Sequence, residues 1–481
     1  MNKIIVLKLL LLASVYFSDT VVAEIKSELT IYQVMQRVVD RYPSLKISEF
    51  EVAQAAQQKQ QIESSLGWIL NSAAGIRHDL TGYGTPSDRF DINGSIVRKL
   101  NSGATLSLNG SYRYEDSSFT FGPIPNPSNT TRLDLSYRLP LSKGKGNPDY
   151  TEGLVSADAG HDLAKANYLL TRITLTEQVK NLFYAAASTM AKLTNANQAV
   201  QRAIKLEKYI ARNVKLGLSE EKDYLQVQAQ VDSKQAELSA IQIQWKQQQS
   251  SLNRLMLEKW DQILKPVLIS IDKNQFNDIL ELTSLTQKNH PAVKVSLANL
   301  KIAQSKIFSA TDSKKDDLDL VVSVGSRTTD GNSINGTISE LDWAGAISVE
   351  YKHLFDDKGL SSKYKQAQLQ KNIALQNIQK TKDDIHYTVS GLVSEIRAAK
   401  KAVKTSKQKL KSESLKLKEA EYRFRTGRAN TAQLIQFQNE YSFAQLAYQN
   451  QKVDLNNRII ALQIFTGQFW DEMNNQHGVK K

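Results

Sequence analysis

The chain of 481 residues carries a formal net charge of +13 and contains no cysteine. Without cysteine, disulfides, thiolate metal sites and lipid attachment to an N-terminal cysteine are excluded. The positive charge alone would point to nucleic acid as a partner. However, lysine and arginine alternate with acidic residues and glutamine along long helical stretches, without a compact patch of basic and aromatic residues. Solvated helix faces, or contact with anionic lipid head groups, therefore explain the charge better.

The first 23 residues have the composition of an export signal. Lys3 and Lys8 flank the apolar stretch Ile4–Leu12, and small residues at 21–23 predict cleavage after Ala23. Because Lys8 interrupts the apolar run, the run is too short for a signal anchor that spans a bilayer. No later segment reaches about 18 consecutive apolar residues, so the exported protein is expected to be soluble, peripheral or inserted as a β-barrel.

The mature chain begins with a helix, a proline and a second helix. Apolar residues recur at helical spacing up to Tyr42, Pro43 interrupts them, and the pattern resumes over Ile47–Leu66. The same arrangement returns around Pro291, at an offset of 291 − 43 = 248 residues. The chain is therefore predicted to contain two versions of one unit.

Farther along, the period of the apolar residues changes from about 3.6 to 2. Residues 132–141 and 343–352 alternate in this way, and a further strand precedes each of them, around Trp68–His78 and Leu318–Ser326. Asn335-Gly336 is a hairpin signal between the later two. This alternation is typical of a lipid-facing barrel wall and equally of a half-buried strand in a soluble sheet, so it leaves both open.

The first half carries one additional hairpin-like stretch, at about Thr85–Gly122. The helix turns at Gly217 and Gly427 are separated by 427 − 217 = 210 residues, against 248 for the prolines. The first half therefore holds 248 − 210 = 38 additional residues between these landmarks, and the hairpin accounts for them.

Two very long helices are predicted, one in each half. Residues 149–214 and 359–424 contain no proline over 66 positions each, which corresponds to roughly 100 Å of helix at about 1.5 Å per residue. A glycine-containing turn and a return helix follow in each half, at about 219–257 and 431–465. Helices in compact domains average about 11 to 12 residues, so these must belong to a long coiled assembly.

These elements define the predicted fold class and domain organisation. The fold is mainly α with membrane β-strands, built from a duplicated helix–strands–long helix–return helix unit. The predicted boundaries are a signal peptide at 1–23, a first repeat at 24–265 with strands at about 68–141 and a helical hairpin at 149–257, a second repeat at 266–470 with strands at about 318–355 and a hairpin at 359–466, and a polar tail at 471–481.

The number of strands has a consequence if they enter a membrane. Two strands per half give four per chain, too few to close a barrel, and open sheet edges are not tolerated in hydrocarbon. Copies of the chain would then share one barrel, and three copies would supply 3 × 4 = 12 strands and 3 × 4 = 12 main helices. Including the additional hairpin would give 18 strands, and the sequence leaves that choice open.

At its helix turns and strand exits the sequence resembles the TolC-type family of outer-membrane efflux and secretion proteins. The most specific elements are Asn-Val-Lys-Leu-Gly-Leu-Ser at 213–219 and Glu-Ala-Glu-Tyr-Arg-Phe-Arg-Thr-Gly-Arg-Ala at 419–429. The strand exits at 137–146 and 350–356 look like the strand-to-helix junctions of the family. The resemblance covers nearly the whole mature chain.

The resemblance implies a homotrimer in the bacterial outer membrane, in which a trimeric β-barrel is continuous with an α-helical tunnel through the periplasm. It implies a passive exit duct, either of a tripartite efflux pump or of a type I secretion system. The implied partners are a periplasmic adaptor (membrane-fusion) protein, an inner-membrane ABC or proton-driven exporter, and outer-membrane lipid. No cofactor is implied, and the sequence specifies neither the cargo nor the pump.

The resemblance also implies a gate at the periplasmic tip, where rings of charged side chains select ions. Aligned from Gly217, Asp223 falls on the acidic tip position of the family. Gln433 and Gln436 fall where some members place aspartates, and Arg428 lies one position from an arginine that closes the tip in some members. The candidates for adaptor docking are the residues of the two helix turns: Leu216, Gly217, Leu218, Thr426, Gly427 and Arg428.

No pattern in the sequence favours an enzyme or a metal site. The six histidines show no metal-ligand spacing, and Gly144-Lys145-Gly146 lacks the rest of a phosphate-binding loop. Two further classes stay open beside the duct. A periplasmic adaptor or coiled-coil scaffold would have one helical hairpin and no membrane strands, whereas a surface adhesin with a helical stalk would use the strands as a head.

Overall fold

The computed structural model describes residues 27–80, 86–118, 124–269 and 278–476. Five predicted features fall wholly or partly outside the described residues: the signal peptide at 1–23, residues 24–26 of the first repeat, the outer ends of the additional hairpin at 85 and 119–122, residues 270–277 of the second repeat, and the end of the polar tail at 477–481.

The described chain is mainly helical, with six long strands. The elements of its first half are β1 (Ser27–Leu29), α1 (Ile31–Arg41), α2 (Pro43–Ser64), β2 (Trp68–Leu80), β3 (Pro86–Lys99), β4 (Thr105–Ser117), β5 (Ser128–Pro140), α3 (Pro148–Lys215) and α4 (Glu221–Met256). Those of the second half are β6 (Leu264–Pro266), α5 (Ile279–Asn289), α6 (Pro291–Ser313), β7 (Asp317–Ser333), β8 (Gly336–Lys352), α7 (Lys358–Arg425), α8 (Thr431–Thr466) and α9 (Gln468–Gln476). Among the described helices, none combines the length and the apolarity needed to cross a membrane.

Corresponding helices of the two halves have matching lengths. α1 and α5 contain 11 residues each, α3 and α7 contain 68, and α4 and α8 contain 36. Their starts are separated by 279 − 31 = 248 residues before the strands and by 358 − 148 = 210 residues after them. The duplicated helix–strands–long helix–return helix unit predicted from the sequence is therefore confirmed.

The six long strands form one antiparallel sheet in the order β2-β3-β4-β5-β7-β8. The additional hairpin β3–β4 lies inside this sheet, where it pairs with β2 on one side and with β5 on the other. Strand β5 pairs in turn with β7, which joins the strands of the two halves. Because successive residues of a strand point to opposite faces, the period-2 pattern gives the sheet one apolar face and one polar face.

The contacts divide the described chain into two compact units. One contains the described residues of Met1–Pro43, Ile173–Leu282 and Thr388–Lys481, and the other contains Ser44–Arg172 and Thr283–Tyr387. The first unit holds both helix turns and the second holds the six-stranded sheet. Each unit draws on both halves of the chain, and the repeat boundaries at 24–265 and 266–470 stay a prediction.

In the first unit, a small core surrounds α1 and the parallel pair β1 and β6. Tyr32 is fully buried, donates a hydrogen bond of 2.6 Å to Glu472 and packs on Phe469 with ring centroids 5.0 Å apart. Burial, together with Glu472, raises the pKa of the Tyr32 hydroxyl, so this group stays protonated and remains the donor. Nearby, Arg37 and Glu258 form an ion pair at 2.8 Å.

Candidate functional site

Both helical hairpins of the first unit turn through the same backbone motif. In each turn a glycine adopts the left-handed conformation, with φ of 70° at Gly217 and 72° at Gly427. The amide after each glycine donates to the carbonyl five residues earlier, at 2.8 Å in both turns. This is the Schellman arrangement, which favours glycine because a Cβ is disfavoured at positive φ.

The side chains that flank the two glycines are chemically different. Leu216 and Leu218 are 62% and 72% exposed. In the second turn the corresponding residues are Thr426 and Arg428, which are exposed as well. The first turn therefore presents an apolar surface and the second turn a polar, basic one.

The return helices also begin differently. Glu220, the N-cap of α4, makes no side-chain cap hydrogen bond. Asn430, the N-cap of α8, forms a capping box with Gln433: the Gln433 amide donates to the Asn430 side chain at 2.8 Å, and the Gln433 side chain accepts from the Asn430 amide at 3.4 Å. Such a pair satisfies two amides that the first turn of a helix leaves unbonded. The side chain of Gln433 is thus hydrogen-bonded within the first turn of its own helix.

A charged group that sequence reasoning did not single out lies beside Gln436. Glu440 accepts hydrogen bonds from the Gln436 amide at 2.9 Å and from Lys416 Nζ at 2.8 Å, and Lys416 also pairs with Glu413 at 2.9 Å. The bonds from Lys416 and Gln436 hold the pKa of Glu440 below its usual value. Only the four-residue spacing of Gln436 and Glu440 on one helix face was readable from the sequence.

Asp223 and Arg428 have freer side chains than the two glutamines. Asp223 lies in the first turn of α4 and is half-buried, and Arg428 is exposed in the second helix turn. Within the described ranges, neither side chain makes a hydrogen bond. The four gate candidates are therefore not equivalent, since two hold local structure and two are available for other contacts.

Beneath the turns, an apolar core packs the ends of α3, α4, α7 and α8 together. Its buried members are Leu206, Ile210, Val227, Leu417, Ala420, Leu434 and Ile435. Beside it lies a cavity of about 260 Å³ that Arg202, Tyr209 and Glu421 help to line. Arg202 on α3 donates to Ser442 on α8 at 2.5 Å and stacks 5.4 Å from the Tyr441 ring centre. Burial lowers the pKa of Arg202, but an arginine remains charged at neutral pH.

In the second unit, the apolar face of the sheet is open to its surroundings. Large side chains on this face are exposed, by 71% at Leu70, 52% at Leu133 and 78% at Ile347. Among the described strands, β2 pairs only with β3 and β8 pairs only with β7, so both edges of the sheet lack a partner. In water, an exposed apolar face and two strand edges without hydrogen-bond partners are both unfavourable, so this sheet is expected to be covered and paired by something else.

The opposite face of the sheet is polar and laced with ion pairs. Arg138 on β5 bridges Asp319 on β7 at 2.8 Å and Glu350 on β8 at 2.7 Å. Arg113 and Asp91 pair across β4 and β3 at 2.6 Å. Such a face is suited to water, whereas the first face is suited to hydrocarbon. In the part of the chain that the structure describes, no three His, Asp or Glu side chains are grouped to hold a metal ion.

Comparison with known proteins agrees with this geometry. Residues 101–256, from the turn of the additional hairpin to the end of α4, match the family model described as "Outer membrane efflux protein". VceC, an outer membrane protein of Vibrio cholerae, is 15% identical with a TM-score of 0.68, over 91% of this chain and 96% of that chain. The chain is therefore similar to outer membrane efflux proteins over residues 101–256, and it shares the fold of VceC.

Two further solved structures share the fold of this chain. The CmeC outer membrane channel of Campylobacter jejuni is 14% identical with a TM-score of 0.63, over 91% of this chain and 86% of that chain. The MtrE outer membrane channel of Neisseria gonorrhoeae is 13% identical with a TM-score of 0.62, over 91% and 88%. No curated protein sequence matches the chain.

The solved structures confirm the fold class inferred from the sequence, and the family model agrees with the resemblance over residues 101–256. The location in the bacterial outer membrane, with the helical part in the periplasm, stays a prediction. The matched stretch includes the first helix turn and not the second. The gate and docking roles of the turn residues stay predictions.

Proposed function

We propose that this chain is an outer membrane efflux protein, three copies of which form a passive exit duct through the outer membrane. The observation that carries the proposal is the six-stranded sheet with an exposed apolar face and unpaired edges among the described strands. Open edges are not tolerated in hydrocarbon, and six strands are fewer than the roughly eight of the smallest barrels. Pairing β8 of one copy with β2 of the next, around a closed ring, removes every edge.

The duct receives its cargo from an inner-membrane exporter, of ABC or proton-driven type, through a periplasmic adaptor. In this proposal those partners supply the energy, and the chain contributes a conduit without catalytic chemistry. It serves a tripartite efflux pump or a type I secretion system. The family description and the four long hairpin helices support the conduit, and the two arrangements differ only in the exporter attached.

The helix turns are the proposed contact with the adaptor and the proposed gate. The first turn offers an apolar surface, formed by Leu216, Gly217 and Leu218. The second turn offers a basic surface, formed by Thr426, Gly427 and Arg428. An adaptor that contacts both turns would therefore need an apolar surface for the first turn and a polar or acidic surface for the second. We assign gate contacts between copies to Asp223 and Arg428, whose side chains are free of hydrogen bonds in the described part of the chain. Gln433 and Gln436 contribute to the gate indirectly. Gln433 caps the start of α8, and Gln436 donates a hydrogen bond to Glu440.

The duct is tested by fractionation and by deletion of the gene. The protein should be extracted from outer membranes only with detergent, as a trimer that resists dissociation until heated. Cells without it should retain cargo that parent cells export. A water-soluble monomer would contradict the duct, and normal export with lost surface attachment would favour an adhesin.

The docking role is tested by placing charge in the apolar turn. Leu218→Asp should reduce export roughly tenfold or more, because interface hot spots are apolar and well buried. Leu415→Asp on α7, where the wild-type leucine is 58% exposed, is the matched control and should leave export unchanged. Trimer yield should be equal for both variants. Unaltered export in Leu218→Asp would remove the turn from the docking surface.

A further inference from the structure

Both strands of the additional hairpin β3–β4 are hydrogen-bonded on both sides, as the strands in the wall of a barrel are. Every residue of β2 pairs with β3, from Trp68 opposite Arg98 to Leu80 opposite Pro86. On the other side, β4 pairs with β5 from Thr105 to Glu115. The hairpin thus separates β2 from β5, and removing it from the sheet would expose two strand edges.

The apolar face runs across the hairpin without interruption. One cross-strand row consists of Leu70, Ile96, Leu108, Leu135 and Val324, contributed by five successive strands. Its two hairpin members, Ile96 and Leu108, are each 38% exposed, so they share the open face with the other strands. A hairpin that projected into water would have no reason to continue this row.

Aromatic residues of the hairpin stand at one end of that face. Phe90 and Tyr114 lie opposite each other toward the β2–β3 and β4–β5 ends of the strands, and Tyr112 lies one step nearer the middle, with its ring 6.4 Å from that of Phe90. Trp68 and Tyr351 lie at the opposite ends of β2 and β8. Membrane barrels carry aromatic girdles at both interfaces, so the hairpin supplies part of one girdle.

The turn of the hairpin is built into the exit of the strands. Ala104 is fully buried, and the carbonyl of Ser102 accepts a hydrogen bond of 2.8 Å from the amide of Gly146, which precedes α3. A Cβ on Gly103 would lie 2.1 Å from the carbonyl oxygen of Gly144. The hairpin is therefore anchored at the same level as the ends of the other strands.

We infer that the hairpin β3–β4 is part of the membrane wall, so that three copies close a barrel of 3 × 6 = 18 strands; this rests on the trimeric duct proposed above. With strands about 4.8 Å apart and tilted by about 40°, 18 strands give a backbone diameter of about 36 Å, against about 24 Å for 12. The hairpin lines the added width with Asn93, Ser95, Asn109 and Ser111, and the ion pairs Arg113–Asp91 and Arg89–Glu115 lie on the same face. The passage suits bulky hydrated cargo.

Cysteine accessibility tests this inference, and the chain has no cysteine of its own to interfere. Neighbouring residues of one wall strand face lipid and lumen in turn, so Asn93→Cys and Asn109→Cys should react with a membrane-impermeant thiol reagent roughly tenfold faster than Ile92→Cys and Leu108→Cys. Each variant is compared in outer membranes that contain the assembled trimer. Equal reaction at all four positions would overturn the inference.

A second pair separates failure of this inference from failure of the duct. Leu135→Cys and Ser136→Cys lie on β5, which belongs to the wall whether or not the hairpin does. If the reactivity of the cysteines differs within this pair but not among the hairpin positions, the proposed duct is supported and the 18-stranded wall is wrong. If neither alternates, the membrane duct itself is wrong.

Discussion

The two halves of the chain agree in their helices and differ in their strands. The long helices have 68 residues in both halves and the return helices 36, yet the first half contributes four strands to the sheet and the second half two. The difference reflects how each kind of structure accepts an insertion. One residue added to a helix rotates all that follows by about 100°, which turns its apolar face away from its neighbours. A whole hairpin added to an antiparallel sheet keeps the direction and facing of the strands around it.

The largest effect should come from shortening one helix of a matched pair. Deleting Ser406 from α7 rotates the residues up to the second turn by about 100° and misplaces Leu417 and Ala420 in the core beneath the turns. We expect no assembled trimer, measured by unheated gel electrophoresis of outer membranes.

The matched control for this deletion removes far more of the chain. Deleting residues 86–118 takes out both hairpin strands and leaves β2 and β5 antiparallel. This variant should still form trimers and export cargo, with a smaller single-channel conductance. Trimers from the Ser406 deletion at the parent level would refute the proposed difference between helices and strands.

The next effect concerns the anchored hairpin turn. Gly103→Ala introduces a Cβ at a φ of 88° and against Gly144, so it should lower the free energy of unfolding by about 2 to 4 kcal/mol. Gly75→Ala on β2 meets nothing within 4 Å and should change it by less than about 0.5 kcal/mol. Urea unfolding in detergent measures both variants. Equal stability of the two would mean that the turn is not anchored.

A similar effect is expected in the buried core of the first unit. Tyr32→Phe removes the donor to Glu472 and leaves that carboxylate short of a partner, which should cost about 1.5 to 3 kcal/mol of unfolding free energy. Tyr387→Phe, at a tyrosine that is 74% exposed, is the control and should be neutral. The same urea series measures both variants, and a neutral Tyr32→Phe would show that the hydrogen bond from Gln463 is sufficient for Glu472.

The smallest effect compares the two return helices. Asn430→Ala breaks a capping box and should cost about 1 kcal/mol, whereas Glu220→Ala removes no cap bond and should be close to neutral. Conversely, Glu220→Asn should stabilise α4 slightly. Hydrogen exchange of the amides in the first turns of α4 and α8 would detect these changes. Equal responses of the two helices would show that the capping box does not contribute.

The repeated architecture could be predicted from the sequence alone. Proline at 43 and 291 and glycine at 217 and 427 fixed the two offsets, and uninterrupted helical periodicity fixed the long helices. These signals are local, so they survive without knowledge of packing. The alternation of β3 and β4 was equally visible, but alternation does not say which strands are neighbours. The position of the hairpin between β2 and β5 therefore required the structure.

The same limit explains what was missed at the helix turns. Asn430 and Gln433 have the spacing of a capping box, but alignment with an acidic tip position drew attention to a pore role for Gln433. The hydrogen bond from Lys416 to Glu440 joins α7 to α8, and the two residues are 24 positions apart in sequence. Residue spacing predicts contacts within one helix, but it does not predict contacts between two helices joined by a turn. Residues that act within one helix were readable, and residues that act between helices were not.

Cross-linking of the sheet edges is the most direct test of the central claim, that identical copies complete each other's sheet. Ala73→Cys on β2 is combined in turn with Ala344→Cys, Ala346→Cys and Ser348→Cys on β8, with the single variants as controls. At one of these registers, oxidation should link the chains into covalent trimers. Links confined to single chains would show that the sheet closes on itself and would contradict the account.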